Sequence, residues 1–140
     1  MGEPVISPSN DTLGRSWDAD QGYLQNRNFV KMVSNIGAVN YAPGWATSEI
    51  APSAVYGTAA EMNTAEVSNS NFNVTWEFDV HPDFEYLIRF HFCDIVSNAL
   101  NQLYFNVYLD SQLVSQDFDL TQLTNALATS VYRDYIVKVT

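Results

Sequence analysis

The segment Phe72–Val80 places an apolar side chain at every even position and a polar one at every odd position. Because successive side chains of a β-strand point to opposite faces, this period of two predicts a half-buried strand. A helix, with its period of 3.6 residues, could not bring the five apolar side chains to one side. The segment therefore favours an antiparallel sheet that has one dry face and one wet face.

Three later segments repeat the alternation: Tyr86–Phe92, Leu103–Leu109 and Val131–Val139. Residues 81–85, which include Pro82, and the pair Asp110-Ser111 separate them as turns. Successive hairpins of this kind indicate a β-sandwich or barrel. The predicted fold class is all-β, with mostly antiparallel strands and at most one short helix.

That helix is predicted in Asp119–Ala128, where leucines recur at i, i+3 and i+7 and Asp119 can cap the start. A segment of ten residues is too short for a stable isolated helix, so we expect a short turn packed over a sheet edge. Ala54–Ala60 is expected to hold a short strand around Val55 and Tyr56.

The length of 140 residues suits one domain, and 46% hydrophobic residues are ample for a core. Glu3–Gly14 is rich in Pro, Ser, Asn and Asp. We therefore expect residues 1–14 to be an N-terminal linker and residues 15–140 to be the domain.

The charge is strongly acidic, with sixteen Asp and Glu against six Lys and Arg, for a net charge of -10. The basic residues are scattered, which argues against binding to nucleic acid or to an anionic membrane surface. Two interpretations stay open: acidity that keeps the domain soluble, and acidity that steers a basic partner inward.

The sequence contains no catalytic motif, and we predict neither a metal site, nor a cofactor, nor an enzyme. One cysteine and two histidines nearly exclude structural zinc. The carboxylate pairs Asp18 with Asp20 and Asp117 with Asp119 suit either calcium or solvated turns. Cys93 cannot form an intrachain disulfide, and we interpret it as a buried structural thiol.

Four aromatic residues lie in predicted loops, where flat rings can bind sugars: Trp17, Tyr23, Tyr41 and Trp45. The alternative is that these rings close the ends of a sandwich. Two N-glycosylation sequons begin at Asn10 and Asn73, and the alternation places Asn73 on the wet face. The sequons suggest a secreted compartment.

Several runs of the chain together resemble a malectin-like domain. More narrowly, they resemble the second of two tandem modules in the ectodomain of plant receptor kinases of the Feronia, Theseus and Anxur type. The runs are Asn10–Asp18, Phe72–Trp76, Tyr86–Ser97, Leu103–Tyr108, Asp119–Thr124 and Arg133–Tyr135. The resemblance covers nearly the whole chain.

The resemblance implies a jelly-roll β-sandwich outside the cell, facing the cell wall, in a parent receptor that carries the membrane span and a serine/threonine kinase domain. It implies cell-wall sensing through an oligosaccharide, through a small cysteine-rich signalling peptide with a lipid-anchored co-receptor, or through both. An acidic surface suits a basic peptide. The alternatives are a module that binds no sugar, and a structural spacer.

Two departures from the family pattern matter. Animal malectin binds glucose disaccharides with adjacent aromatics in the loop after the strand that Tyr86–Phe92 resembles, where this chain has Val96-Ser97. Animal malectin has a further sugar-binding tyrosine at the position that corresponds to Glu61 in this chain. The resemblance also implies further strands after the one matching Val131–Val139, so the module is expected to be truncated.

Overall fold

The computed structural model describes residues 5–63 and 73–140. The chain divides into two compact units, Met1–Gly37 with Ser48–Asp79, and Ala38–Thr47 with Val80–Thr140. The described residues form six strands in three two-stranded sheets, and each sheet is antiparallel. None of the helices in these residues has the length and apolar character that crossing a bilayer requires.

The first unit contains the sheet of β1 (Val30–Ser34) and β2 (Thr58–Met62), in which Met32 lies opposite Ala60. A short helix, α1 (Ser53–Tyr56), precedes β2. Its buried face supplies part of the core, as expected of a helix too short to be stable alone. Among the described residues of this unit, the buried apolar side chains are Ile6, Leu24, Ala51, Val55 and Tyr56.

Two backbone segments meet at Gly57, between α1 and β2. Its N–H donates to the Ser53 carbonyl at 2.7 Å, and its carbonyl accepts from the Asn35 N–H at 2.7 Å. A Cβ on Gly57 would lie 2.4 Å from the Ile36 Cα and 2.9 Å from the Ser53 oxygen. Only glycine allows this approach, because the obstructing atoms belong to the main chain.

The residues predicted to form a linker, 1–14, are described from Val5 onward. Ile6 is 5% exposed and forms an antiparallel bridge with Trp17, with backbone bonds of 2.9 and 3.0 Å. Asp11 is buried as well. This part of the segment therefore packs within the first unit, and where the domain begins stays a prediction.

The second unit contains two sheets. Strand β3 (Glu85–Phe92) pairs with β6 (Val131–Lys138), and β4 (Phe105–Leu109) pairs with β5 (Gln112–Phe118). Asp110 and Ser111 join β4 to β5 with φ of 48° and 62°. Positive φ at both central residues is what the type I′ hairpin turn requires.

Five aromatic rings from the inward faces of these strands form a cluster in the second unit. The ring centroids of Phe92 and Phe118 lie 5.1 Å apart. Phe105 meets Phe118 edge to face at 5.8 Å, and Phe90 meets Tyr135 in the same way at 5.8 Å. Such pairs contribute roughly 0.5–1.5 kcal/mol each beyond the burial of their area. The alternation of β3 is thus explained by one aromatic face.

The predicted C-terminal helix is confirmed as α2 (Leu120–Thr124). The Asp119 carboxylate accepts from the backbone N–H groups of Thr121 and Gln122 at 2.9 and 3.0 Å. These bonds, the one to Gln122 first, lower the pKa of Asp119. The helix ends at Thr124, and its C-cap residue Asn125 has a φ of 54°, in the left-handed conformation typical of helix termini.

Three strand predictions need correction. In Phe72–Val80, Phe72 lies outside the described residues, and the rest forms only an isolated bridge between Trp76 and Leu24. Val55 and Tyr56 lie in α1 rather than in a strand, so residues 5–63 and 73–140 contain two short α-helices where the sequence predicted one. Strand β5 was not predicted, because its sequence lacks clean alternation.

Candidate binding sites

Trp17 belongs to a cluster of hydrogen bonds in the first unit. The Asp11 carboxylate accepts from the Trp17 indole N–H at 3.1 Å and from the Arg15 guanidinium at 3.0 Å. Arg15 also lies over the indole ring, 4.9 Å from its centroid, and donates to the carbonyls of Glu49 and Ile50. The guanidinium is the main reason why the pKa of Asp11 lies well below its usual range. Trp17 therefore has a structural part in the first unit.

Tyr23 stacks on Phe78, with ring centroids 4.5 Å apart and an interplanar angle of 30°. The Glu77 N–H donates to the Tyr23 carbonyl at 2.9 Å, and the Gln25 N–H donates to the Thr75 carbonyl at 2.9 Å. Tyr23 is 44% and Phe78 56% exposed. This pair, Tyr23 with Phe78, is an accessible aromatic surface held by a short backbone ladder.

Tyr41 is half-buried in the second unit. Burial, together with the nearby Cys93, raises the pKa of its phenol to about 12. The hydroxyl is therefore a donor and an acceptor at every physiological pH.

Trp45 lines an open cleft of about 410 Å³ in the second unit. The lining residues are Gly44, Trp45, Ala46, Val131, Tyr132, Arg133 and Asp134. The Ala46 N–H donates to the Ser130 carbonyl at 3.1 Å, and the Ser130 hydroxyl donates to the Ala46 carbonyl at 2.9 Å. These bonds hold the loop against the start of β6, and Ala46 and Val131 on either side both line the cleft.

Asp134, which lines this cleft, forms an ion pair with Arg89 across strands β3 and β6. Arg89 donates to both carboxylate oxygens of Asp134 at 2.6 Å, and its guanidinium lies 4.4 Å from the centroid of the Tyr132 ring. The hydrogen bond from Arg89 lowers the pKa of Asp134. The Tyr132 ring and the Asp134 carboxylate line the cleft together with the Trp45 indole, and such groups can bind a polar ligand in one orientation.

The four predicted sugar-binding aromatics thus lie in separate settings. Trp17 and Tyr23 belong to the first unit, in the Asp11 cluster and on Phe78 respectively, while Tyr41 and Trp45 belong to the second. Sequence reasoning did not select Phe78 as a site residue, since its alternation placed it on a dry face. Neither did it select the residues of β6 that line the cleft.

The remaining candidates concern modification, metal and thiol chemistry. Asn10 and Asn73 are both exposed. Within residues 5–63 and 73–140, no group of three or more His, Cys, Asp and Glu is arranged to hold a metal ion. Cys93 is half-buried, and burial first, then the Asp94 charge, raises its pKa to about 12. A thiol in this state is a poor nucleophile.

Comparison with known proteins decides the family. The malectin-like domain family matches residues 1–140. The chain belongs to the malectin-like family. Among its relatives in Arabidopsis thaliana, the receptor-like protein kinase HERK 1 is 50% identical over 139 residues, and the receptor-like protein kinase THESEUS 1 is 46% identical over 137. The malectin-like chain is covered to 99% and 97% by these matches but spans only 17% and 16% of the two relatives.

The similarity of the chain to solved structures supports the same family. The malectin-like chain superimposes on FER, in its complex with the plant peptide RALF23 and LLG2, with a TM-score of 0.80 and 32% identity, covering 96% of this chain and 37% of that one. For the ANXUR1 extracellular domain from Arabidopsis thaliana, the TM-score is 0.85 and the sequence identity is 28%. That match covers 99% of this chain and 38% of the ANXUR1 chain. These neighbours confirm the predicted all-β, malectin-like jelly-roll β-sandwich. They also make the chain a non-catalytic ectodomain module, since any kinase domain lies outside it.

Proposed function

We propose that this chain is an extracellular module of a plant receptor kinase that binds a basic signalling peptide together with a co-receptor protein. The observation that carries the proposal is the likeness, at 32% identity, to FER in its complex with RALF23 and LLG2. The net charge of -10 adds a physical reason, because an acidic surface attracts a cationic peptide from a distance and speeds its association.

The test is a binding measurement on the 140-residue chain. The RALF23 peptide and LLG2 are each added alone and then together, and association rates are measured from low to high salt. We expect the ternary arm to bind most tightly, with an association rate that falls about tenfold or more as salt rises. No binding in any arm would refute the proposal, and a salt-independent rate would refute its electrostatic part.

A second candidate is the binding of a cell-wall oligosaccharide in the Trp45 cleft. The cleft volume of about 410 Å³ lies within the range of small-ligand sites, and its lining combines an indole ring with charged hydrogen-bonding groups. A pectic polyanion would be repelled by a chain of net charge -10 unless calcium bridged the two.

This second candidate is tested by titration with neutral glucan oligosaccharides and with oligogalacturonides at low salt, with and without calcium. Trp45→Ala should abolish binding. The matched control is Tyr104→Ala, which removes a 67% exposed aromatic that does not line the cleft. Absence of binding to both sugars would leave the module as a peptide binder or a spacer, and equal loss in both variants would exclude the cleft.

Glycosylation at Asn10 and Asn73 belongs to the same proposal, because both side chains are exposed and an extracellular chain passes the glycosylating compartment. The exposure of the two asparagines supports modification without any rearrangement of the described backbone.

A further inference from the structure

The stacked rings of Tyr23 and Phe78 present an exposed aromatic surface in the first unit. Nearly half of the Tyr23 side chain and more than half of Phe78 face water. A single exposed aromatic residue is common, but two large rings in contact with each other form a contiguous apolar patch. Such a patch costs hydrophobic free energy that burial would recover, so a ligand that covers it gains that energy.

The pair is held in place from the main chain. The bridge between Leu24 and Trp76 joins the two segments that carry the rings. It is flanked on either side by the two backbone hydrogen bonds of 2.9 Å described above. Leu24 itself is only 8% exposed and anchors its segment in the core. The Tyr23 and Phe78 rings are therefore preorganised, so a ligand pays little to order them.

The sequence around the two rings is acidic. Asp18 and Asp20 lie within five residues of Tyr23, and Glu77 and Asp79 adjoin Phe78. The basic residue of these segments is Arg27, whose guanidinium donates to the Gly22 carbonyl at 3.0 Å. With four carboxylates against one guanidinium, the segments that carry the two rings have a net negative charge, which favours a cation over a neutral sugar and disfavours a uronic acid.

An aromatic face attracts a cation through its quadrupole, and guanidinium groups pack flat on such faces. We propose that the Tyr23–Phe78 pair is a subsite for an arginine or lysine side chain of a basic peptide. The inference rests on the proposed peptide-binding function and adds the place and the chemistry of one contact. The carboxylates supply the attraction at a distance, and the rings supply the contact.

The first arm of the test needs no natural ligand. The isotopically labelled chain is titrated with N-acetyl-arginine amide and, separately, with N-acetyl-citrulline amide, which has the same shape without the charge. The ring signals of Tyr23 and Phe78 are followed by NMR. We expect shifts that grow with the concentration of the arginine probe and are absent with citrulline. Equal shifts with both probes, or none with either, would overturn the inference.

The second arm compares variants in RALF23 binding. Phe78→Leu keeps an apolar side chain but removes the ring, and we expect it to weaken binding about twofold to fivefold. Phe84→Leu is the matched control, because Phe84 is 62% exposed and belongs to the second unit. It should bind like the unmodified chain.

The two arms separate failure of the subsite from failure of the function. If RALF23 binds and both variants match the unmodified chain, the subsite is wrong and the peptide function stands. If RALF23 does not bind at all, the function is wrong, and the arginine and citrulline probes still decide whether the pair selects cations.

Discussion

The close approach at Gly57 makes Gly57→Ala a sharp test of the first unit. The added Cβ would lie 2.4 Å from the Ile36 Cα, whereas ordinary contacts of this kind are 3.4–4 Å. A side chain could rotate away, but the Ile36 Cα and the Ser53 oxygen are main-chain atoms. One of the two backbone segments must therefore retreat by about 1 Å.

The magnitude follows from two terms. Overpacking of this kind costs roughly 1–3 kcal/mol, and the retreat strains the two 2.7 Å hydrogen bonds of Gly57, each of which contributes roughly 0.5–1.5 kcal/mol. The smaller entropy of the unfolded alanine chain returns about 0.4–1 kcal/mol. We expect a net loss of about 3 kcal/mol, which lowers the melting temperature by about 10 °C for a chain of this size.

The assay is urea or thermal unfolding followed by circular dichroism, with Gly37→Ala as the matched control. Gly37 adjoins Ile36, but a Cβ there would meet nothing within 4 Å. The control should lie within about 0.5 kcal/mol of the unmodified chain. If Gly57→Ala were as stable as the control, the crossing of the two segments would be wrong.

Three further predictions concern acid, a thiol and glycans. The folded-state pKa of Asp11 is lowered, so its carboxylate stabilises the fold above its usual pKa, and this contribution is lost as the pH falls below about 4. Asp11→Asn should therefore be less stable at pH 7 and lose less stability between pH 5 and 2 in urea titrations; parallel curves would contradict this. Cys93, with a pKa of about 12, should react with iodoacetamide at pH 8 far more slowly than the same thiol in urea, and equal rates would refute its shielding. Expression through a plant secretory pathway should add glycan mass that Asn10→Gln and Asn73→Gln remove in separate steps, whereas an unchanged mass in both would exclude modification.

Sequence alone predicted β3 and β6 well, and these two strands pair along their whole length. The alternating segment Glu85–Phe92 forms a strand of eight residues because β6 pairs with all of it, from Glu85 opposite Lys138 to Phe92 opposite Val131. Phe72–Val80 alternates as clearly, yet in the described residues Trp76 pairs with Leu24 alone. The period of a segment reports its two faces, whereas a ladder also needs a second strand.

Predictions of secondary structure from local sequence were wrong where contacts with another backbone segment determine the conformation. Val55 and Tyr56 have strand propensity but lie in a helix of one turn, which ends at Gly57 where the chain must pass Ile36. The shifts in register between β4 and β5 hide the alternation that would have identified β5.

The candidate sites show the same limit. Tyr23 and Trp45 were predicted as loop aromatics from their residue type and surroundings. Their partners were not, because Phe78 lies 55 positions from Tyr23 and the residues of β6 lie more than 80 from Trp45. Residue type thus selects candidate aromatic residues, whereas the residues that lie beside them are known only from the folded chain.

The β4–β5 turn has a practical consequence. Asp110 and Ser111 are exposed, both hold a left-handed backbone, and neither lines the Trp45 cleft. Exposed hairpin tips tolerate insertions, so a short biotin-acceptor peptide spliced between these two residues would anchor the molecule to a sensor chip by one defined point. In the chain without the insert, substitution of the turn by Asn-Gly, whose backbone adopts this conformation readily, would stabilise the β4–β5 hairpin.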